Sequence, residues 1–225
     1  ELDAIATASD HAVNKGDAMT GTYTLYSMQA SGNCYKPRLA MHELGIPFRI
    51  VEVVKGAGQT TAPDFLRLNP NAQVPLLILP DGRPLAESNA MLLHLAEGTS
   101  LIPEDAYERA LCWQWLFFEQ YSHEPVIAVA RNWLHLTPGG REAMAQRIEE
   151  WQTKGNKALT VMERRLEQAD FLAGSGFSVA DIALYAYTHV AAEADYDLSA
   201  YPAIGGWLAR VAARPRHVGL DWRPG

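Results

Sequence analysis

The chain has 225 residues, 48% apolar and 20% charged, with 19 Lys and Arg against 26 Asp and Glu for a formal net charge of −7. An acidic chain without a basic run lacks the electrostatic footprint of a nucleic-acid binder or of a protein held on an anionic membrane. No apolar run approaches the ~18 residues of a membrane-spanning helix. Cys34 and Cys112 are too few for a disulfide framework and fit a reducing compartment, so a cytoplasmic location is expected. The histidines form no ligand-spaced pair, and no metal site is expected.

Residues 1–18 carry acids and no apolar core, unlike a signal peptide, and Met19 could be the native start. Residues 1–21 are therefore read as an N-terminal extension. Thr22–Met28 is rich in β-branched and aromatic residues and predicts a strand, within which Tyr26 reads as sheet packing. Gln29–Asn33 is loop chemistry, followed by a helix to Leu44 that Gly45-Ile46-Pro47 stops. Pro37 is expected early in that helix, where a missing N–H costs least. Phe48–Val54 reads as a second strand and Ala62–Leu68 as one or two helical turns.

Asn69–Glu97 carries the most information. Pro75 stands directly before the apolar run Leu76–Leu79, a turn follows at Pro80-Asp81-Gly82, and a helix begins near Glu87-Ser88. A proline at the lip of a strand cannot donate to the ladder, which marks Val74-Pro75 for a special backbone conformation such as a cis bond. The Val74 N–H and carbonyl would then face a cleft. The next helix opens with an acid and a hydroxyl, where free N–H groups and the dipole favour an anion. A backbone pairing edge beside a carboxylate pocket suits an extended peptide ligand. The order to this point is βαβαββα.

Strand signals stop at Thr99. Residues 99–103 read as a linker and 104–225 as all-helical, after a domain at 22–98. Tyr107–Leu134 is expected as one helix, kinked at Pro125 and apolar on two faces, so that one face meets the core and the other a cleft or partner. Arg141–Leu166 carries one clean stripe, Met144, Ile148, Trp151, Gly155, Leu159, Met162 and Leu166. The helix from Ser178 is apolar almost all round and opens with a capping box, Ser178 with Asp181, which reads as a folding device. A last helix runs through Trp207 and Val211.

The βαβαββα unit, the X-Pro before its third strand and the helical second half together resemble the cytosolic glutathione transferase family. The resemblance runs from about Thr22 to Arg216. It rests on Leu25-Tyr26, Ser31-Gly32-Asn33-Cys34-Tyr35-Lys36-Pro37-Arg38, Asn69-Pro70, Gln73-Val74-Pro75, Glu87-Ser88 and Phe177–Asp181. It implies a thioredoxin-like α/β domain followed by an all-α domain, glutathione as co-substrate, a small hydrophobic electrophile as second substrate, and a homodimer.

Matched to the zeta- and phi-like pattern, Ser31 falls on the serine that donates to the glutathione sulfur; a plain helix cap is the alternative. Cys34 competes, since some bacterial and omega-like members use a cysteine, although one turn into a helix it also reads as a small buried hydrophobe. Asn33 replaces the zeta cysteine, which weakens an isomerase reading, and its amide could assist the sulfur. Val74 and Pro75 would hold the cysteinyl part, Glu87 the γ-glutamyl ammonium and Ser88 its carboxylate. Gln59 and Gln73 are candidates for the glycyl carboxylate, and Trp113, Phe117, Tyr121 and His123 for the electrophile wall. The implied activity is conjugation of glutathione. A glutathione-dependent disulfide or peroxide reductase or isomerase is a second reading, and a non-catalytic interaction module is a reading of another class. A pure scaffold has no physical need for Ser31, Val74-Pro75 and Glu87-Ser88 together.

Overall fold

A computed structural model describes residues 21–223; the expected extension, as far as residue 20, lies outside them. The first half runs β1 (Tyr23–Ser27), α1 (Gly32–Leu44), β2 (Phe48–Glu52), α2 (Pro63–Leu68), β3 (Leu76–Ile78), β4 (Pro84–Leu85) and α3 (Ser88–Ala96). The helical crossover α1 makes β1 and β2 parallel, Tyr23 facing Phe48 and Ser27 facing Glu52. β3 pairs antiparallel with β1, and β4 with β3, so the mixed sheet has the order β2-β1-β3-β4. This is the expected thioredoxin-like arrangement. Tyr26 packs edge-on against Phe65 of α2, as read from the sequence.

α1 ends where Gly45 takes φ +68° and its N–H turns back to the carbonyls of Met41 and His42. The helix starts directly after Ser31, earlier than expected, which corrects the place of Pro37. As the sixth helical residue it lies beyond the first turn and leaves the Asn33 carbonyl without its helical donor.

The second half is helical: α4 (Ala106–Phe118), α5 (Glu124–Leu134), α6 (Gly140–Ala143), α7 (Ala145–Leu166), α8 (Val179–Thr188) and α9 (Pro202–Ala212). The single helix expected over 107–134 is broken by a π turn at Glu119–His123, just before Pro125. The helix expected from Arg141 is likewise broken at Met144. Trp151, Gly155, Leu159, Met162 and Leu166 are buried along α7, so the stripe faces the core from Trp151 on, while Ile148 is half-buried and Met144 stands at the break before the helix.

α8 is buried at every residue and packs on α1, α3, α4, α5 and α9. Gly32 permits the close approach of α1 to α8, since a Cβ there would lie 2.7 Å from the Tyr187 ring and 2.8 Å from the Ala186 carbonyl oxygen. Beyond α9 the chain returns to the first half, where the Tyr35 hydroxyl donates to Val218 O and Gln29 Nε2 donates to Leu220 O and Trp222 O. No described helix is long and apolar enough to cross a membrane.

The capping box at α8 does more than cap. The fully buried Asp181 carboxylate accepts the N–H groups of Leu172 and Ser178 (both 3.0 Å), the Ser178 hydroxyl (3.1 Å) and Trp207 Nε1–H (2.9 Å), joining the start of α8 to α9. Losing this acceptor strands several buried donors, each worth about 1–3 kcal/mol. Asp181→Ala should therefore lower the unfolding free energy by about 3 kcal/mol or more in denaturant titrations, with Asp181→Asn intermediate. An alanine variant as stable as the parent would show that these donors have other partners.

Candidate functional site

The loop between β1 and α1 is held from three sides. Arg38 Nη2 donates to Gln29 O (2.8 Å), Arg131 Nη1 to Ala30 O (2.6 Å), and Gln29 N–H to Glu52 Oε1 (3.1 Å). Arg131 is buried and paired with Glu193 at 2.6 Å, so the α5 side chain that reaches Ala30 is itself fixed. Ser31 follows as the cap of α1. Its Oγ accepts the Cys34 N–H at 3.2 Å, a bond that does not use its own proton.

Asn33 lies in the first turn of α1. Its N–H donates to Tyr187 Oη (3.2 Å), Nδ2 to Glu124 Oε1 (3.1 Å), and Oδ1 accepts the Ser88 hydroxyl at 3.5 Å. One Nδ2 hydrogen remains uncommitted. Burial pushes the Glu124 carboxyl above its ordinary range, Glu119 pushes the same way, and the Asn33 amide opposes them.

Across the cavity, the Val74–Pro75 bond is cis. Asn69 secures this turn, donating through Nδ2 to Gln73 O (2.9 Å) and accepting the Asn71 N–H (3.1 Å). Among the described residues nothing hydrogen-bonds the N–H or carbonyl of Val74. Glu87 stands as the N-cap of α3 at φ +66°, ψ 112°, a conformation that costs a non-glycine residue about 1–3 kcal/mol. Asn33, Gln73, Val74, Pro75, Glu87 and Ser88 all line one small cavity of about 150 Å³, with Gln120 from the π turn at its edge.

Behind the cavity two charges are sealed from solvent. Lys36 Nζ meets Glu119 Oε1 at 2.9 Å, both side chains being 0% exposed. Lys36 and Asn69 stood among the motif residues of the sequence without a role in the site, and Glu119, Glu124, Arg131 and Tyr187 were not predicted. Lys36 had a local signal, because it follows Asn33 by one helical turn and so shares its face, and Asn69 acts within four residues, on Asn71 and Gln73; Glu119, Glu124, Arg131 and Tyr187 depend on tertiary contacts.

Profile comparison matches residues 30–97 to the glutathione S-transferase N-terminal domain and residues 115–215 to the glutathione S-transferase C-terminal domain. The disulfide-bond oxidoreductase YfcG of Escherichia coli K12 is 32% identical over 190 residues, covering 81% of this chain and 87% of that protein. The chain belongs to the glutathione S-transferase family. The solved glutathione S-transferase of Pseudomonas fluorescens Pf-5 is 46% identical, with a TM-score of 0.86, covering 89% of this chain and 99% of that one. A Burkholderia graminis glutathione transferase, solved with two glutathione molecules per subunit, is 28% identical with a TM-score of 0.76, covering 89% and 88%.

Within this transferase fold several expected site residues lie elsewhere. Cys34 is 0% exposed, its Sγ accepts the Met28 N–H at 3.3 Å, and burial pushes its thiol pKa up. It points into the core and is corrected from thiol helper to buried hydrophobe. Gln59 is tied back to the segment after β2, accepting the Val54 N–H at 2.8 Å, and does not line the cavity.

The four expected wall residues do not share a pocket. Trp113 and Phe117 border an apolar groove of about 480 Å³ with Ala90, Leu93 and Leu116, which shares Glu87 and Gln120 with the cavity. Tyr121, 89% exposed, borders a separate groove with Lys154 and Lys157. His123 is fully buried and lines neither. A π turn takes an extra residue per turn, which swings Tyr121 and His123 off the stripe that Trp113 and Phe117 begin.

His123 Nε2 donates to Thr188 Oγ1 at 2.9 Å, because that hydroxyl already donates to Leu184 O; Nδ1 has no partner. Burial pushes its pKa from 6.5 down to about 4, with Glu119 opposing and Lys36 adding to the shift. Between those values the unfolded chain binds a proton that the folded chain refuses. Its contribution to stability is thus fully present above pH 6.5 and lost as pH falls toward 4, by about 3 kcal/mol. Denaturant titrations from pH 7 to 4 should show this fall, and His123→Gln should flatten it; an unchanged slope would assign the acid loss to other groups.

Proposed function

We propose that the chain is a glutathione transferase, in which the protein binds glutathione across the Val74 edge and conjugates its thiolate to a small hydrophobic electrophile. The observation that carries this reading is the Val74 backbone, unpaired among the described residues, facing the same cavity as Ser88 at the start of α3 and the Glu87 carboxylate. Val74 pairs with the cysteinyl residue as a short antiparallel addition to the sheet. Ser88 and the free N–H groups of α3 take the γ-glutamyl carboxylate, and Glu87 takes the ammonium. Gln73, exposed at the cavity rim, is assigned to the glycyl carboxylate.

The cysteinyl sulfur then lies toward the start of α1. Ser31 Oγ–H and the uncommitted Asn33 Nδ2–H donate to it, and with the helix N-terminus they favour the thiolate over the thiol. The thiol proton leaves to water. With an aromatic halide the thiolate attacks the ring carbon, the C–S bond forms as the carbon–halogen bond breaks, and the halide leaves to water. The protein contributes proximity and stabilisation of negative charge. Trp113 and Phe117 are assigned to the apolar approach of the electrophile, and the working form to a homodimer.

Disulfide reduction is the second reading, favoured by the likeness to the oxidoreductase YfcG. Two glutathione thiols reduce one disulfide to two thiols and are themselves oxidised to glutathione disulfide. Cys34 and Cys112 are both buried, so neither supplies a thiol.

Retention on immobilised glutathione tests both readings at once, and failure to bind sinks both. Relative rates with an aromatic halide and with hydroxyethyl disulfide then choose between them. Ser31→Ala should raise the pKa of the bound thiol by about one unit and slow conjugation about tenfold or more, while Cys34→Ala leaves both near the parent. Unchanged kinetics in the serine variant would remove Ser31 from the mechanism. Phe117→Ser, followed by light scattering and by the electrophile KM, separates two roles of the groove. A raised KM at dimer mass supports the wall assignment, and a monomer mass makes the groove the subunit contact instead.

A further inference from the structure

The buried Lys36–Glu119 pair is placed where a ligand carboxylate would feel it. Lys36 has three N–H donors, and each has an acceptor: Glu119 Oε1 at 2.9 Å, Asn89 Oδ1 at 3.2 Å and Ser88 Oγ at 3.3 Å. An ammonium only donates, so the Ser88 oxygen is the acceptor and its proton points away from Lys36. The other partner of that hydroxyl is Asn33 Oδ1, at the long distance of 3.5 Å. A ligand oxygen in the cavity that Ser88 lines would take that single proton from the long Asn33 contact.

Glu119 is held just as fully. Its Oε2 accepts Asn89 Nδ2 (3.0 Å) and Gln120 Nε2 (2.8 Å), and Asn89 Nδ2 also reaches Leu116 O at 3.3 Å. Among the described residues no hydrogen bond joins Glu119 to Ser88, so the charge that Ser88 meets directly is the Lys36 ammonium. A dry ion pair of this kind is often no more stabilising than apolar residues of the same volume. Stability alone does not explain it.

From this geometry we propose that Lys36 is a positioning and specificity residue, which orients the Ser88 hydroxyl and supplies the positive field that selects a substrate bearing a carboxylate at the start of α3. The proposal rests on the glutathione reading and deepens it. Lys36 itself does not touch the substrate. It acts through Ser88, while Glu119 and Asn89 hold it in place from the second half of the chain and from α3.

The test compares two ligands: glutathione, and the tripeptide in which 4-aminobutanoic acid replaces the γ-glutamyl residue, so that only that carboxylate is missing. Calorimetric Kd values are measured for the parent, for Lys36→Gln, and for the double variant Lys36→Met with Glu119→Gln, which leaves no unpaired buried charge. The parent should prefer glutathione by about a hundredfold, and both variants should lose about tenfold of that preference. Affinity for the carboxylate-free ligand should change less than about twofold, which also shows that the variant sites are intact. A merely structural lysine would weaken both ligands alike and leave the ratio unchanged, and that result overturns the proposal. A parent that binds glutathione without preferring it over the analogue overturns it while the glutathione reading survives; a parent that binds neither removes both.

Discussion

Lys36 and Glu119 meet without solvent contact where α1, α3 and the π turn converge, and this meeting constrains both halves of the molecule. A buried charge is tolerable only when its donors or acceptors are all met. Lys36 needs Glu119 from the helical half and Asn89 and Ser88 from α3, so none of these elements can slide by even one hydrogen-bond length without stranding an ion. The apolar contacts of α8 against α1 and α3 bring the halves together non-directionally. The ion pair adds direction, and its direction is toward Ser88.

The cavity beside it concentrates backbone that ordinary packing would not select. Glu87 holds a positive φ, Val74–Pro75 is cis, and Val74 lacks a hydrogen-bonding partner among the described residues. Each is held by neighbours that are well bonded: Asn69 for the turn before Val74, the hairpin and α3 on either side of Glu87. A rigid surround that maintains an irregular rim is what a preformed site for an extended ligand requires.

Much of the fold was legible locally. Strand composition, the Gly45 stop, the stripe on α7 and the box at α8 each depend on neighbours within a few residues, and each stands where it was expected. Val74-Pro75 and Glu87-Ser88 were legible for the same reason, since a proline at a strand lip and an acid–hydroxyl pair before a helix constrain the backbone by their own covalent structure. The π turn was not legible. Nothing in Glu119–His123 forbids a plain α-helix, and its extra residue follows from the surrounding packing, which seats Glu119 against Lys36 and His123 against Thr188. That one insertion is why Tyr121 and His123 part from Trp113 and Phe117.

Sequence by itself determined the order of the elements, the place of the irregular turn, the charged helix start and the acidic character of the chain, because these follow from side-chain type and short-range sterics. Only the tertiary structure decided which side chains lose their water. It buried Cys34 and His123, left Tyr121 in solvent, and sealed a lysine beside a glutamate 83 residues away in the chain. Burial and charge pairing depend on which distant surfaces meet, and no pattern within Ser31–Arg38 or Glu119–Glu124 records that meeting.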